Sequence, residues 1–183
     1  MSAALLPKTG VTEEEFLQHY VHEDGIELID GELVSTSMPG PEHGQVCGNA
    51  YFYLREWVKP RSMGRVVTND SFIRTRIDPV RYRGADVCYV SYSTLPIEIP
   101  TPKTAFIPPL ELVVEVRSPN DSLSELTAKA WEYIEAGVQV VVVFDPHSTS
   151  AAIFRSGEFP QRLKSTDELI LPDILPGFSV MVA

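Results

Sequence analysis

Long apolar runs are missing from this chain of 183 residues. None approaches the roughly 18 residues that a membrane-spanning helix needs, so no membrane partner is expected. The stretch from Met1 to Lys8 is too short in its apolar part to act as a secretory signal. Cysteine is scarce, and Cys47 and Cys88 show no metal spacing. They read as buried, reduced thiols of a cytoplasmic protein. Positive charge is also in short supply, with 15 Lys and Arg against 25 Asp and Glu, a net of -10. That balance excludes a general nucleic-acid coat. It does not exclude a nuclease, because a metal site is itself acidic and basic contacts can be local. Equally absent are a Gly-x-Ser-x-Gly elbow, a phosphate-binding Walker loop, a dinucleotide fingerprint and a His/Cys zinc cluster. What remains is an ordinary globular composition, 44% apolar and 22% charged. The length suits one domain over residues 1–183 with a sizeable core. There is no internal repeat, low-complexity tract or linker.

The most informative stretch runs from Leu110 to Lys129. Leu110 to Val116 predicts a strand buried on both faces. Glu115 sits near its end, and an unpaired buried carboxylate is costly, so it needs a cation, a donor network or a metal. Ser118-Pro119 stops the strand. Ser122 followed by Glu125 is a capping-box signature for a helix that Gly137 ends. Leu123, Leu126, Ala130, Tyr133 and Ile134 form the apolar stripe of that helix. Lys129 lies on the flank of the stripe, from which a long amine reaches toward the strand end. Taken alone, Glu115 is also a strand residue facing water, and Lys129 a snorkelling surface lysine. A second buried strand, Val138 to Phe144, completes a strand-helix-strand unit with its strands parallel.

Ahead of this unit, Thr12 and Glu15 predict a capped helix. His19 and His22, with Glu23 beside them, read as its solvated end rather than a metal site. Asp30-Gly31 predicts a two-residue hairpin. Glu32 on that hairpin is either a solvated residue or one that helps water or metal at the site. A long helix of about 16 residues ends near Lys59-Pro60, and His43 at its start is read as a cap or as a phosphate contact. Arg65 to Val67 and Ser71 to Arg76 look like two antiparallel strands joined by Thr68-Asn69-Asp70. Residues 61–83 hold six arginines and two aspartates, a local +4 in an acidic chain. These arginines are either solvated strand faces or phosphate contacts. Asp86 opens the next strand directly after this turn. The loop from Ser91 to Pro109 carries five prolines, a candidate lid or partner surface. Ala151 to Phe154 and Phe159 to Leu163 predict a hairpin around Ser156-Gly157, and Leu169 to Leu171 and Phe178 to Val182 finish the chain.

Asp86 and Glu115 on two strand ends can hold a hard divalent ion, with water and a substrate phosphate completing its shell. A nearby Lys129 would orient the water or stabilise the transition state.

At these residues the chain resembles the Uma2 (DUF820) family of the PD-(D/E)xK nuclease-like superfamily. The matching pieces are Tyr20 through Gly31-Glu32-Leu33, His43 before the long helix, Ala85-Asp86-Val87, and Leu112-Val113-Val114-Glu115-Val116-Arg117-Ser118-Pro119. Lys129 with Tyr133, and Gly137-Val138 through Asp145-Pro146, complete the match. The resemblance implies an α/β restriction-endonuclease-like core: a central mixed β-sheet flanked by helices, with an N-terminal helix and hairpin. It implies a Mg2+- or Mn2+-dependent endonuclease hydrolysing DNA phosphodiesters. Asp86, Glu115 and the backbone carbonyl of Val116 then look like metal ligands, and Lys129 and Glu32 join Asp86 and Glu115 as catalytic candidates. His43, Arg74, Arg76, Arg83 and Arg117 are the candidate nucleic-acid contacts. Two positions depart from the superfamily pattern. Ala85 replaces the proline before the aspartate. Arg117 stands where the superfamily has lysine, and arginine cannot serve as a base. The family pattern suggests that the lysine has moved to the helix as Lys129. A homodimer is expected, since cutting two strands with one site per chain invites two copies. The alternative is an inactive member of the same fold that binds nucleic acid or a protein.

Overall fold

The computed structural model describes residues 8–23, 25–36 and 39–183. Helix α1 spans Glu13–His19, and the Thr12 side chain accepts the Glu15 N–H at its start. Strands β1, Ile26–Ile29, and β2, Glu32–Ser35, pair antiparallel. Asp30 and Gly31 join them at φ 53° and 78°, the left-handed pair that a two-residue hairpin requires. Helix α2 spans Pro41–Val58, with Gly40 as its N-cap. The expected cap at His43 is corrected. Pro41 presets the first helical φ two residues earlier, which leaves His43 inside the first turn.

Strand β3 spans Gly64–Ile77 and β4 spans Val80–Ser91. Here too the structure departs from expectation. Residues 65–76 form one long strand, not two joined by a turn. Asn69 and Asp70, both left-handed at φ 74° and 49°, form a bulge that faces Asp86 between the Thr68–Val87 and Ser71–Ala85 pairs. A bulge adds a residue without reversing the chain, so both halves of β3 stay on β4.

Strand β5, Leu110–Val116, is buried throughout. Helix α3, Leu123–Ala136, starts with the capping box of Ser122 and Glu125 and stops at Gly137, φ 107°. Strand β6, Val138–Asp145, runs parallel to β5, as a helical crossover requires. Strands β7, Ser150–Arg155, and β8, Gln161–Lys164, extend the sheet. Strands β9, Glu168–Ile170, and β10, Ser179–Met181, pair apart from it. The mixed sheet runs β2-β1-β4-β5-β6-β7-β8, with β3 also on β4. Helix α2 covers one face through Leu54 and Val58, against Val87, Leu112 and Val114. Helix α3 covers the other through Leu126, Ala130 and Tyr133, against Cys88, Val113 and Val141. No helix among the described residues is long and apolar enough to cross a membrane.

The pairing along β4 leaves room for the candidate site. Strand β3 pairs along nearly all of β4, so it takes one whole edge. Strand β1 pairs at Arg81 and Tyr82, and β5 at Val87 to Tyr89. Both therefore share the opposite edge, and they leave a gap along residues 83–86.

Backbone contact at the start of β3 makes a test of the architecture. A Cβ on Gly64 would come 2.2 Å from the Val90 carbonyl oxygen, whereas one on Gly44 meets nothing within 4 Å. Gly64→Ala should cost about 3 kcal/mol through forced backbone shifts. Gly44→Ala in helix α2 should gain about 0.5–1 kcal/mol. Urea unfolding of the two variants beside the parent checks both signs.

Candidate active site

The gap on β4 is filled by charge. Lys129 projects from α3 into it and is fully satisfied. Its Nζ donates to the Gly84 carbonyl at 2.9 Å, to Glu115 Oε2 at 3.0 Å, and lies 3.1 Å from Glu27 Oε1. Those are the three acceptors an ammonium can use. Tyr133, one helical turn on, donates to Glu115 Oε1 at 2.9 Å and lies 3.2 Å from the Gly84 carbonyl. Lys129 and Tyr133 are four apart and share a helix face, so both reach the same strand end. Glu27, from β1, accepts the Gly84 N–H at 3.0 Å and pairs with Arg83 at 2.9 Å. Gly84 has no side chain in the way of Asp70, whose Cβ and carbonyl oxygen lie 3.3 Å from where a Cβ would stand.

Asp86 lies opposite the bulge. Its Oδ2 accepts the Val116 N–H at 2.6 Å and sits 3.3 Å from His43 Nε2 on α2. The Arg117 N–H bonds Phe144 on β6, so by alternation the Val116 N–H and carbonyl face β4. The Asp86 carboxylate thus replaces a strand partner within the layer of the sheet. Among the described residues its Oδ1 makes no hydrogen bond. Nor is it sealed in, because the Trp57 indole nitrogen is the one fully buried unpaired side-chain polar atom among the described residues. Asp86 reaches toward α2 and Glu115 toward α3, and both border the same gap. The Asp86 charge is among the causes that shift His43, Glu115 and Lys129.

Glu115 is 3% exposed, and burial pushes its carboxyl up to about 8 against the pull of the Lys129 charge. Burial opposes the Lys129 charge as well, but Glu115, Glu27 and Asp86 outweigh it and raise its pKa. Lys129 therefore keeps its proton, and Glu115 is the group that titrates near neutrality. Burial works against the Glu27 charge too, yet Lys129 and Arg83 outweigh it and lower its pKa. The hydrogen bond to Asp86 raises the imidazole of His43 against burial.

The residues singled out in the sequence fall into three groups. Asp86, Glu115, Val116, Lys129 and His43 come together at the gap. Glu32 is exposed on β2, opposite Ile29, and its side chain makes no hydrogen bond among the described residues. The arginines are held inside the chain. Arg74 pairs with Glu13, Arg76 with Asp30, Arg83 with Glu27 and Glu132, and Arg117 with Asp145. Arg65 donates to the carbonyls of Leu95, Pro96, Ile97 and Ile99, which ties down the proline-rich loop. His19 and His22 are exposed.

Three participants escaped the sequence. Glu27 lies on the acidic hairpin with nothing in its spacing to mark it, and only the sharing of one β4 edge by β1 and β5 brings it to the gap. Gly84 contributes backbone groups that no side-chain pattern reveals. Cys47 does have a sequence signal, its position four residues after His43, which places both on one helix face. Its Sγ lies 3.4 Å from His43 Nδ1, and His43, Cys47 and Asp86 offer ligand atoms all within 4.8 Å of one another.

A mixed sheet clad by helices on both faces, with a buried Asp, Glu and Lys cluster on the edge of one strand, is a nuclease-like fold. The comparisons agree. The crystal structure of "a putative nuclease belonging to DUF820" from Anabaena variabilis ATCC 29413 matches with TM-score 0.81 over 94% of this chain and 95% of that one. At 18% identity that likeness shows the fold alone. A family model, "Uma2: Putative restriction endonuclease", matches residues 13–183, and the chain belongs to the Uma2 family. No curated protein matches the chain.

The elevated Glu115 pKa sets a pH dependence. A folded value near 8 lies above the ordinary 4.5. The folded state then holds a proton that the unfolded chain releases, so stability falls as pH rises from about 4.5 to 8. His43, also raised, acts in the same direction above its ordinary 6.5. Glu27 is lowered, so its contribution is lost only below that window. Lys129 is raised from 10.5, so its contribution is lost only above the window. Urea midpoints measured from pH 5 to 8 should decline for the parent and decline less for Glu115→Gln. Lys129→Met, which strips the cation from two buried carboxylates, should cost about 3–5 kcal/mol at pH 8.

Proposed function

We propose that this protein is a metal-dependent endonuclease that hydrolyses DNA phosphodiesters at the gap on β4, working as one domain over residues 1–183. One observation carries the reading. The gap holds Glu115, Lys129, Glu27 and Asp86 together in the interior, where apolar side chains of similar volume are often at least as stable. Charge kept at that cost is charge with a task, and perturbed groups of this kind cluster at functional sites.

The donor types, carboxylate and carbonyl oxygens, suit a hard divalent cation. Asp86 Oδ1 is open, and the Val116 carbonyl faces β4 beside it. Each Glu115 oxygen accepts one hydrogen bond and retains a second lone pair. Asp86, Glu115 and the Val116 carbonyl would hold Mg2+ or Mn2+, which take oxygen ligands. A bound divalent ion supplies charge to the attacked phosphate and makes its water a better nucleophile near neutral pH.

The chain's own groups prepare that centre. Tyr133 and Lys129 grip both oxygens of Glu115 and fix its rotamer. Lys129 brings a permanent positive charge to the strand end, where the transition state gathers negative charge. Glu115 has to lose its proton before it can ligate, so metal binding should strengthen as the pH rises. Glu27 and the Gly84 carbonyl hold the lysine in place. With the flanking arginines engaged inside the chain, DNA contacts would come from local exposed groups and from the metal centre itself. Cutting both strands from one centre per chain would call for two copies.

The test is cleavage of plasmid and single-stranded DNA with Mg2+ and with Mn2+, beside calorimetric metal titration. Asp86→Asn and Glu115→Gln should each weaken metal binding and reduce cutting to background. Lys129→Met should still bind metal and cut more slowly. A parent protein that neither cuts nor binds metal at millimolar concentration would replace this reading with a non-catalytic binding module.

A further inference from the structure

Cys47 takes no part in the oxygen-ligand chemistry above, and Mg2+ has little affinity for sulfur. Its position is nonetheless constrained. It sits on the same face of α2 as His43 and turns inward toward Asp86. His43 Nε2 lies 3.3 Å from Asp86 Oδ2 and 4.0 Å from Cys47 Sγ. Ligands of a tetrahedral zinc ion, at about 2.0–2.3 Å from the metal, are themselves roughly 3–4 Å apart. Two of the three separations fall in that range, and ligand atoms of all three residues lie within 4.8 Å of one another. His43 is 8% exposed and Asp86 9% exposed, while Cys47 is half-buried. Burial first, and then the charges of Asp86, Asp70 and Glu115, push the Cys47 thiol up, while the hydrogen bond to Asp86 and the same charges raise His43 against burial, so the surrounding charges favour a cation.

We propose that His43, Cys47 and Asp86 form a site for a borderline transition cation of the zinc and cobalt class, on the α2 side of Asp86. The inference deepens the nuclease reading, on which it rests only through the shared Asp86, by assigning a second class of cation to the same centre. Imidazole and thiolate select such ions over Mg2+, which prefers oxygen alone. Binding replaces the hydrogen bond between His43 and Asp86, and the His43 Nε2 proton leaves to solvent or moves to Nδ1 so that Nε2 can ligate. It also displaces the thiol proton, which leaves to solvent, because the thiolate is the ligand. The fourth position stays open to water or a phosphate oxygen, the arrangement of catalytic rather than structural zinc sites. The site spans a helix and a strand, so its geometry is set by the packing of α2 on the sheet.

The experiment titrates metal-free protein with cobalt chloride and reads the near-ultraviolet thiolate-to-cobalt charge-transfer band. The parent should bind one Co2+ with that band, and a large excess of Mg2+ should leave it in place. Cys47→Ser should abolish the band while its circular dichroism shows the fold intact. His43→Gln should weaken Co2+ binding at least tenfold, and Glu115→Gln should retain the band. No band in the parent, or a band that survives in Cys47→Ser, overturns the proposal, the latter by assigning the sulfur to Cys88. The two readings fail separately. Cleavage with Mg2+ and no cobalt band leaves the nuclease reading standing alone. A cobalt band that follows Cys47 and His43, with no cleavage under any metal, leaves this site standing alone.

Discussion

The Lys129 ammonium is the interaction on which the rest of the structure depends. It touches three separate parts of the fold: Glu27 of β1, Gly84 of β4 and Glu115 of β5. These three strands do not form a continuous ladder there. Strands β1 and β5 share one edge of β4 and diverge, and ordinary pairing cannot close the space between them. Backbone groups left there need partners, because an unpaired buried amide or carbonyl is expensive. Gly84 meets that need through side chains, giving its N–H to Glu27 and accepting at its carbonyl from Lys129. The charged cluster is thus also the hydrogen-bonding solution to an interrupted sheet. A helix had to cross over β5 and β6 for its lysine to arrive from the α3 face.

The aspartate is delivered by a different device. The bulge at Asn69 and Asp70 breaks the alternation of β4 partners at Asp86. Asp86 then takes the Val116 amide with one oxygen and leaves the other open. Bulges re-aim side chains next to working sites, and this one does so with two left-handed residues. One carboxylate of the gap is wrapped in donors, and the other is half free. Burial pushes the Glu115 carboxyl up, whereas Asp86 has one oxygen without a hydrogen bond among the described residues.

The charge distribution outside the gap is organised inward. Arg81 and Arg83 both reach Glu132 of α3, and Arg76 and Arg81 both reach Asp30 of the hairpin. These pairs tie the N-terminal hairpin and α3 to the outer half of β4, on the side of the gap away from β5. The local excess of arginine is therefore an internal frame more than an outward-facing patch. An acidic chain that approaches a polyanion has to rely on a few exposed groups and on whatever cation the centre holds, which makes contact strongly dependent on salt.

The sequence by itself determined what local chemistry can determine. The capping box at Ser122, the Gly137 stop, the Asp30-Gly31 hairpin and the all-apolar β5 and β6 were legible because each is written within a few adjacent residues. Asp86, Glu115 and Lys129 stood out for the same reason, as charged residues at the edges of apolar runs. The strand-helix-strand crossover followed from the order of the elements. Other features depended on which edges pair. The continuity of β3 could not be read, because a turn and a bulge use the same left-handed residues and only pairing to β4 separates them. The engagement of Arg74, Arg76, Arg83 and Arg117 could not be read, because their acids lie 28 to 61 residues away in the chain. Glu27 joined the site only because β1 and β5 meet the same edge of β4. That is a property of the folded sheet, since no spacing along the chain encodes which strands will share an edge.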